Sequence, residues 1–210
     1  MNQEPALPVS RETLATSLFG DRTPLMERYA EILAADGVER GMIGPREVPR
    51  LWDRHLFNCA VVCPRIPNGA DVADVGSGAG LPGLVWAIAR PDLRVTLIEP
   101  LLRRTRFLDD VVKALDLENV TIARSRAEEV DDRFDVVTAR AVARLDKLAR
   151  WCLPLVAADG VLLALKGSSA HREVGETRGV VESLGARSIV VATYGDDQLD
   201  VPTTVVEVTR

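Results

Sequence analysis

Asp71-Val72-Ala73-Asp74-Val75-Gly76-Ser77-Gly78-Ala79-Gly80-Leu81-Pro82-Gly83 is a short β-prone run that opens at once into glycines and then into apolar, helix-forming residues. A strand that must turn directly into a helix needs residues that tolerate positive φ and lack a Cβ, so that a ligand can press on the backbone. Such a turn takes a nucleotide-like cofactor. Counted from Gly76, the third glycine of a dinucleotide fingerprint falls on Leu81; counted from Gly78, Gly80 and Gly83 complete G-x-G-x-x-G. The loop alone leaves NAD and S-adenosylmethionine (SAM) both open.

Downstream of this turn, β and α patterns alternate. Strands are predicted at 71–75, 94–99, 120–123, 134–139 and 160–166, with helices at 81–89, 101–115, 145–155 and 171–184. That order predicts a Rossmann-like α/β fold, a mostly parallel doubly wound sheet with right-handed crossovers. Two last runs, 187–193 and 203–208, flank the turn-rich Gly195-Asp196-Asp197 and should close the sheet as an antiparallel pair.

Upstream the pattern is helical without strands. Ser10 should cap a helix through Phe19, and Thr23-Pro24 reads as a cap followed by proline at the first helical position. Leu25, Tyr29, Ile32 and Leu33 then repeat at helical spacing until Gly37 stops the run, and 41–45 is loop. A third helix from Pro49 turns Leu51, Trp52, Leu56, Cys59 and Ala60 inward and leaves Arg50, Arg54, His55 and Asn58 for another face. We therefore expect a helical extension, 1–68, packed on a single compact unit, 69–210.

With 210 residues, a net charge of −5 and no apolar run of membrane-spanning length, the chain reads as a soluble cytoplasmic protein. Met1 to Ser10 has neither the basic start nor the apolar core of a signal peptide. The acidic balance excludes nucleic-acid coating by bulk charge and directs attention to local basic patches. Cys59, Cys63 and Cys152 are too few for a disulfide framework. His55, Cys59 and Cys63 recur every four residues, but three in-line positions on one helix make a poor tetrahedron and no fourth ligand stands near, so no metal is expected.

Glu99 ends the second strand about twenty residues past the glycines, where a carboxylate can accept from both ribose hydroxyls. Two features favour SAM over NAD: the acidic loop Ser125-Arg126-Ala127-Glu128-Glu129 after the third strand, suited to an adenine, and the closing antiparallel pair. For the acceptor, the position after the fourth strand reads Thr138-Ala139-Arg140-Ala141 and lacks the acceptor cluster that exocyclic amines need, and no cysteine stands at a strand end as a thiolate nucleophile. A ring nitrogen with an in-plane lone pair, such as guanine N7, needs neither device. Basic residues gather where a polyanion would lie: Arg103, Arg104 and Arg106 in the first turns after Glu99, then Arg140, Arg144, Lys147 and Arg150 at three- and four-residue steps, and Lys166 at the end of the fifth strand.

The run from Asp74 to Gly83, then Arg106-Phe107-Leu108, the loop from Ser125 to Glu129, Phe134-Asp135, Arg140-Ala141, Ala164-Leu165-Lys166-Gly167 and the pair Arg54-His55 together resemble the RsmG family, also called glucose-inhibited division protein B. The resemblance implies a SAM-dependent methyltransferase acting on N7 of a guanine in 16S rRNA of the small ribosomal subunit, a monomer without metal. Loss of that methyl group is associated in the family with low-level streptomycin resistance. It implies that Gly76 and Leu81 line the methionine end of the cofactor and that Ala127 and Glu128 meet its adenine; Ser77, Gly78 and Gly80 of the turn and Glu99 at the second strand tip are expected to bind the cofactor with them. By the same resemblance Arg140 would stand beside cofactor and base as the catalytic residue, with Arg54, His55 and Lys166 at RNA or active-site contacts; Arg103, Arg104, Arg144 and Lys147 are assigned to the RNA from their charge. The tail from Tyr194 lacks the basic ending common in that family. An NAD-dependent oxidoreductase and a non-catalytic RNA-binding assembly factor are the rival readings.

Overall fold

A computed structural model describes residues 10–210, so the reading of the N-terminus as leaderless lies, but for Ser10, outside the described residues. α1 (Arg11–Phe19) is capped by Ser10, whose hydroxyl accepts from the Thr13 amide at 3.2 Å. α2 (Thr23–Ile32) departs from expectation at its start: Thr23 is itself helical, and its hydroxyl donates back to the Gly20 carbonyl instead of capping. Gly37 does not stop the helix either. Leu33–Gly37 widens into a π turn, and Gly37 offers its carbonyl to the amides of Met42 and Ile43. A 3-10 turn (Pro45–Arg50), a second π turn (Trp52–Leu56) and α3 (Phe57–Ala60) make the third, irregular helix.

Seven strands follow: β1 (Asp71–Val75), β2 (Arg94–Ile98), β3 (Val120–Ala123), β4 (Phe134–Arg140), β5 (Val156–Lys166), β6 (Ser188–Tyr194) and β7 (Thr203–Thr209). They lie in the order β3-β2-β1-β4-β5-β7-β6, parallel except that β7 runs antiparallel to both β5 and β6. The expected architecture is thus present, with β5 starting earlier than expected. Asp159 takes a φ of 63° and the register slips between Phe134 opposite Val156 and Val136 opposite Val161, so Asp159-Gly160 forms a bulge within the strand and not a loop before it.

Alternate residues along the strands serve opposite layers. Val72, Val95, Leu97, Val136 and Leu163 face a core shared by α1–α3, α4 (Gly83–Ala89) and α5 (Leu102–Ala114). Ala73, Val75, Val137, Ala139, Leu162 and Val206 face α6 (Leu145–Cys152) and α7 (Ala170–Ser183). The N-terminal helices are fixed to the sheet unit by buried polar contacts as well as apolar ones: Trp86 donates its indole N–H to the Cys59 carbonyl at 2.8 Å, and the Tyr29 hydroxyl donates to the Ala79 carbonyl at 2.8 Å. Phe19, Trp52 and Phe57 pack ring against ring and join α1 to the irregular helix. Among the described residues no helix is long and apolar enough to cross a membrane.

Candidate active site

In a doubly wound sheet, ligands bind at the carboxyl ends of the strands where the order reverses. Here β1 has β2 on one side and β4 on the other, and a cavity of about 640 Å³ opens above the tips of all three. Its size suits a nucleotide-like ligand. Gly76, Ser77, Gly78, Leu81, Glu99, Ala127, Glu128 and Arg140 all line it. Gly80 does not. It is closed in from behind, where a Cβ would stand 2.3 Å from Leu84 Cδ1 and 3.0 Å from the Tyr29 hydroxyl, so its role is to let helix and turn pack.

The turn is held from below by Asp74, buried beneath it. Gly83 donates its amide to Asp74 Oδ2 at 3.0 Å, an approach only glycine permits because a Cβ there would meet that same oxygen at 2.7 Å. The offset G-x-G-x-x-G spacing therefore reflects a carboxylate anchor and not a dinucleotide fingerprint. Burial pushes the Asp74 carboxyl up to about 7, and its Oδ1 has no hydrogen-bond partner.

Glu99 is 1 % exposed and already engaged: Oε1 accepts from the Leu101 amide at 3.1 Å, and Oε2 accepts from the Gly78 amide at 3.1 Å and from Arg104 at 3.3 Å. The two amides fix the carboxylate at the cavity wall. The Arg104 contact is the longest of the three and its side chain is exposed, so that is the site a ribose hydroxyl would take over. Arg104 itself lines the cavity.

Arg140 ends β4, and Ala141 follows at a left-handed φ of 56°, which carries Val142 back over Gly76. The Arg140 guanidinium reaches the irregular helix. One nitrogen, Nη2, donates to the Arg54 carbonyl at 3.0 Å and to His55 Nδ1 at 2.7 Å, and Nη1 donates to Cys59 Sγ at 3.5 Å. With Nδ1 accepting, the His55 proton sits on Nε2 and is donated to Glu47 Oε2 at 2.9 Å. Burial, and after it the Arg140 charge, hold His55 below the ordinary imidazole range, while the Glu47 contact pulls the other way. The four-residue repeat of His55 and Cys59 thus serves an arginine. Burial raises the Cys59 thiol to about 11 and the Cys63 thiol to about 12, and it raises Cys152 as well, so none is poised as a thiolate nucleophile.

A second, larger groove of about 1310 Å³ adjoins the first, and Arg140, Ala141 and Val142 are the three residues common to both linings. Arg54, Arg144 and Lys166 line it, as do Arg11 and Arg50. Arg144 is paired with Asp146 and Glu176. Lys166 is only 10 % exposed and spends its ammonium on the Ala143 carbonyl at 2.7 Å and Glu173 at 2.8 Å. Arg103 and Lys147 line neither cavity, and Lys147 lies over the Trp151 ring at 4.9 Å. The helical spacing of Arg140, Arg144 and Lys147 does not make one continuous basic track. Asp53, Asp196, Asp197 and Asp200 also face the groove, so it is mixed in charge.

Sequence reasoning missed Met42, Trp151 and Val142 in the cavity wall and Glu47 behind His55. Met42 and Trp151 carry no local signal, since each comes from an element far along the chain from the glycine turn.

A family model described as rRNA small subunit methyltransferase G matches residues 22–201. The chain is 56 % identical over 212 residues to a ribosomal RNA small subunit methyltransferase G of Salinispora tropica, covering 97 % of this chain and 88 % of that one. It is 58 % identical over 197 residues to the protein of the same name from Thermobifida fusca, covering 93 % and 83 %. Among solved structures it is similar in fold to a ribosomal protein L11 methylase from Lactobacillus delbrueckii subsp. bulgaricus, with a TM-score of 0.57 at 12 % identity over 75 % of this chain and 78 % of that one. A TYW2 from M. jannaschii in complex with AdoMet gives a TM-score of 0.54 at 18 % identity, over 72 % and 64 %. Both relatives are named as methyltransferases, and the two structures share the fold.

Proposed function

The chain belongs to the rRNA small subunit methyltransferase G family, and from that premise we infer that it carries a methyl group from SAM to N7 of a guanine in 16S rRNA. The observation that carries the reading is the shared wall: Arg140, Ala141 and Val142 face a nucleotide-sized cavity on one side and an open groove on the other, so two ligands can meet there. The cavity fits SAM on its own terms, with an acidic strand tip, an apolar lining and a glycine turn anchored on a buried carboxylate.

Gly76, Ser77, Gly78 and Leu81 would hold the methionine end, Glu99 the ribose, and Ala127 and Glu128 the adenine. SAM, when bound, supplies an electrophilic methyl on a sulfonium. Guanine N7 has a free lone pair and no proton to lose, so the protein's contribution is positioning rather than base catalysis. Arg140 is fixed by three acceptors, and its remaining N–H groups are available to the incoming nucleotide. A bare guanidinium next to N7 would oppose the positive charge that develops on the methylated base. Arg140 and Arg54 therefore act with RNA phosphates, which neutralise them. Arg144, at the groove, and Lys166, through its hold on the Ala143 carbonyl, shape the entry.

We take the enzyme to be a monomer, and its ribosomal substrate places its work in the cytoplasm. Small subunits from a strain lacking the gene, incubated with the protein and methyl-labelled SAM, should take up one methyl at a guanine N7. Absence of label, or label on another atom, would refute the reading.

A further inference from the structure

We propose that Glu47 is a positioning residue for methyl transfer, setting through His55 the orientation of the Arg140 guanidinium at the wall between cavity and groove. The proposal rests on the reading of Arg140 as a transfer-site residue and goes beyond it. Glu47 comes from the 3-10 turn Pro45–Arg50 and lines neither cavity, so it does not act by touching cofactor or RNA there. Its Oε2 meets His55 Nε2 at 2.9 Å, and the opposite ring nitrogen meets Arg140 at 2.7 Å. A carboxylate on Nε2 fixes both the ring plane and the tautomer, leaving Nδ1 as an acceptor. Without it the ring can turn or change tautomer, and a four-torsion arginine loses its strongest anchor.

His55 must be neutral for this, because a protonated ring would donate from Nδ1 and repel the guanidinium. The charged groups facing it are Glu47 and Arg54 on one side and Arg140 on the other, with Arg50 acting on Glu47. Behind Arg140 lie Cys59 and Tyr29, both held protonated by burial, and Asp74, which titrates near 7. Glu47 raises the His55 pKa, so removing Glu47 moves the His55 acid limb to lower pH. An Asp74 limb would not move with it.

The test is single-turnover methyl transfer by the full chain to unmethylated small subunits, across about pH 5.5 to 8.5, with SAM affinity measured by calorimetry. Glu47→Ala is expected to transfer about tenfold more slowly near neutral pH, with SAM affinity and subunit KM within about twofold of the parent. Its acid limb should fall at lower pH. Glu47→Gln, whose amide oxygen still accepts the Nε2 proton, should regain most of the rate and keep the lowered limb. His55→Asn, with an oxygen near the Nδ1 position, should lose that limb. Parental rate and profile in Glu47→Ala alongside an inactive Arg140→Ala would overturn this proposal alone, as would a slow Glu47→Ala with an unmoved limb. Full activity in Arg140→Ala would overturn the reading of Arg140 and this proposal with it.

Discussion

The Tyr29 hydroxyl donates to the Ala79 carbonyl across fifty positions of sequence, joining α2 to the tip of the glycine turn in a fully buried contact. The turn is thus braced from the N-terminal helices as well as from Asp74 beneath it. Tyr29→Phe should strand the buried Ala79 carbonyl and cost about 1–3 kcal/mol in denaturant unfolding. SAM affinity should fall by a few-fold at the same time. A variant as stable as the parent would show that the brace contributes nothing.

Arg140→Ala should still bind SAM, since the glycine turn and Glu99 are set by backbone contacts that do not involve Arg140. Transfer should drop by about a hundredfold or more, the range seen when one preorganised hydrogen-bond donor is removed from an active site. Calorimetry with SAM and a methyl-transfer assay on unmethylated subunits separate the two effects. Loss of SAM binding in step with activity would make the residue a cofactor clamp.

Asp74 sets a pH dependence of stability whose sign can be worked out. Its carboxyl sits at about 7 in the folded chain against 3.8 for the free side chain, so the folded state keeps a proton that the unfolded state has released between those values. Stability from this group is complete below about pH 4 and is lost as pH rises to about 7, a span worth at most about 4 kcal/mol. Asp74→Asn removes the titration and keeps an oxygen for the Gly83 amide. Its stability relative to the parent should therefore climb from pH 4 to pH 8, and parallel curves would contradict the assignment.

Gly83→Ala and Gly175→Ala should act in opposite directions. At Gly83 a methyl would press on Leu97 at 2.5 Å and on Asp74 at 2.7 Å, which predicts a loss of about 1–3 kcal/mol or more. Gly175 is exposed within α7 with open space around it, and alanine there should stabilise by about 0.5–1 kcal/mol. Thermal midpoints of the two variants check both signs.

For the RNA, Arg54→Ala should weaken binding to the subunit and lower its salt dependence by about one counterion, whereas Lys147→Ala should leave both nearly as they are. Arg54 is exposed in the groove with only a long 3.7 Å contact to Glu47, while Lys147 lies over the Trp151 ring. Filter binding across a salt series distinguishes them. An equal effect of the two would mean that RNA also runs along α6.

What the sequence discloses about this fold is what local chemistry determines. Strand alternation and the glycine run placed the sheet and the cavity floor, because pleat and positive φ act over a few residues. The Asp159-Gly160 pair imitates a turn and hid the first part of β5, since a bulge and a loop use the same residues. Thr23 has the side chain of a cap, but its hydroxyl finds a carbonyl within reach on the preceding turn. In the site, Glu99 was legible from its distance to the glycines, but Met42, Trp151 and Glu47 arrive from distant elements, and no spacing rule connects them to the turn. Basic side chains were legible as charge and not as availability: Lys166 and Lys147 count equally with Arg54 in a sequence, and packing alone separates them.

The three-residue partition formed by Arg140, Ala141 and Val142 also bears on how a catalytic cycle finishes. With donor in the cavity and RNA in the groove, as proposed, spent donor and modified RNA lie on opposite sides of it, and neither need block the other's exit. Dissociation in either order is open to such an enzyme, and a fresh donor can enter while the ribosomal particle is still departing.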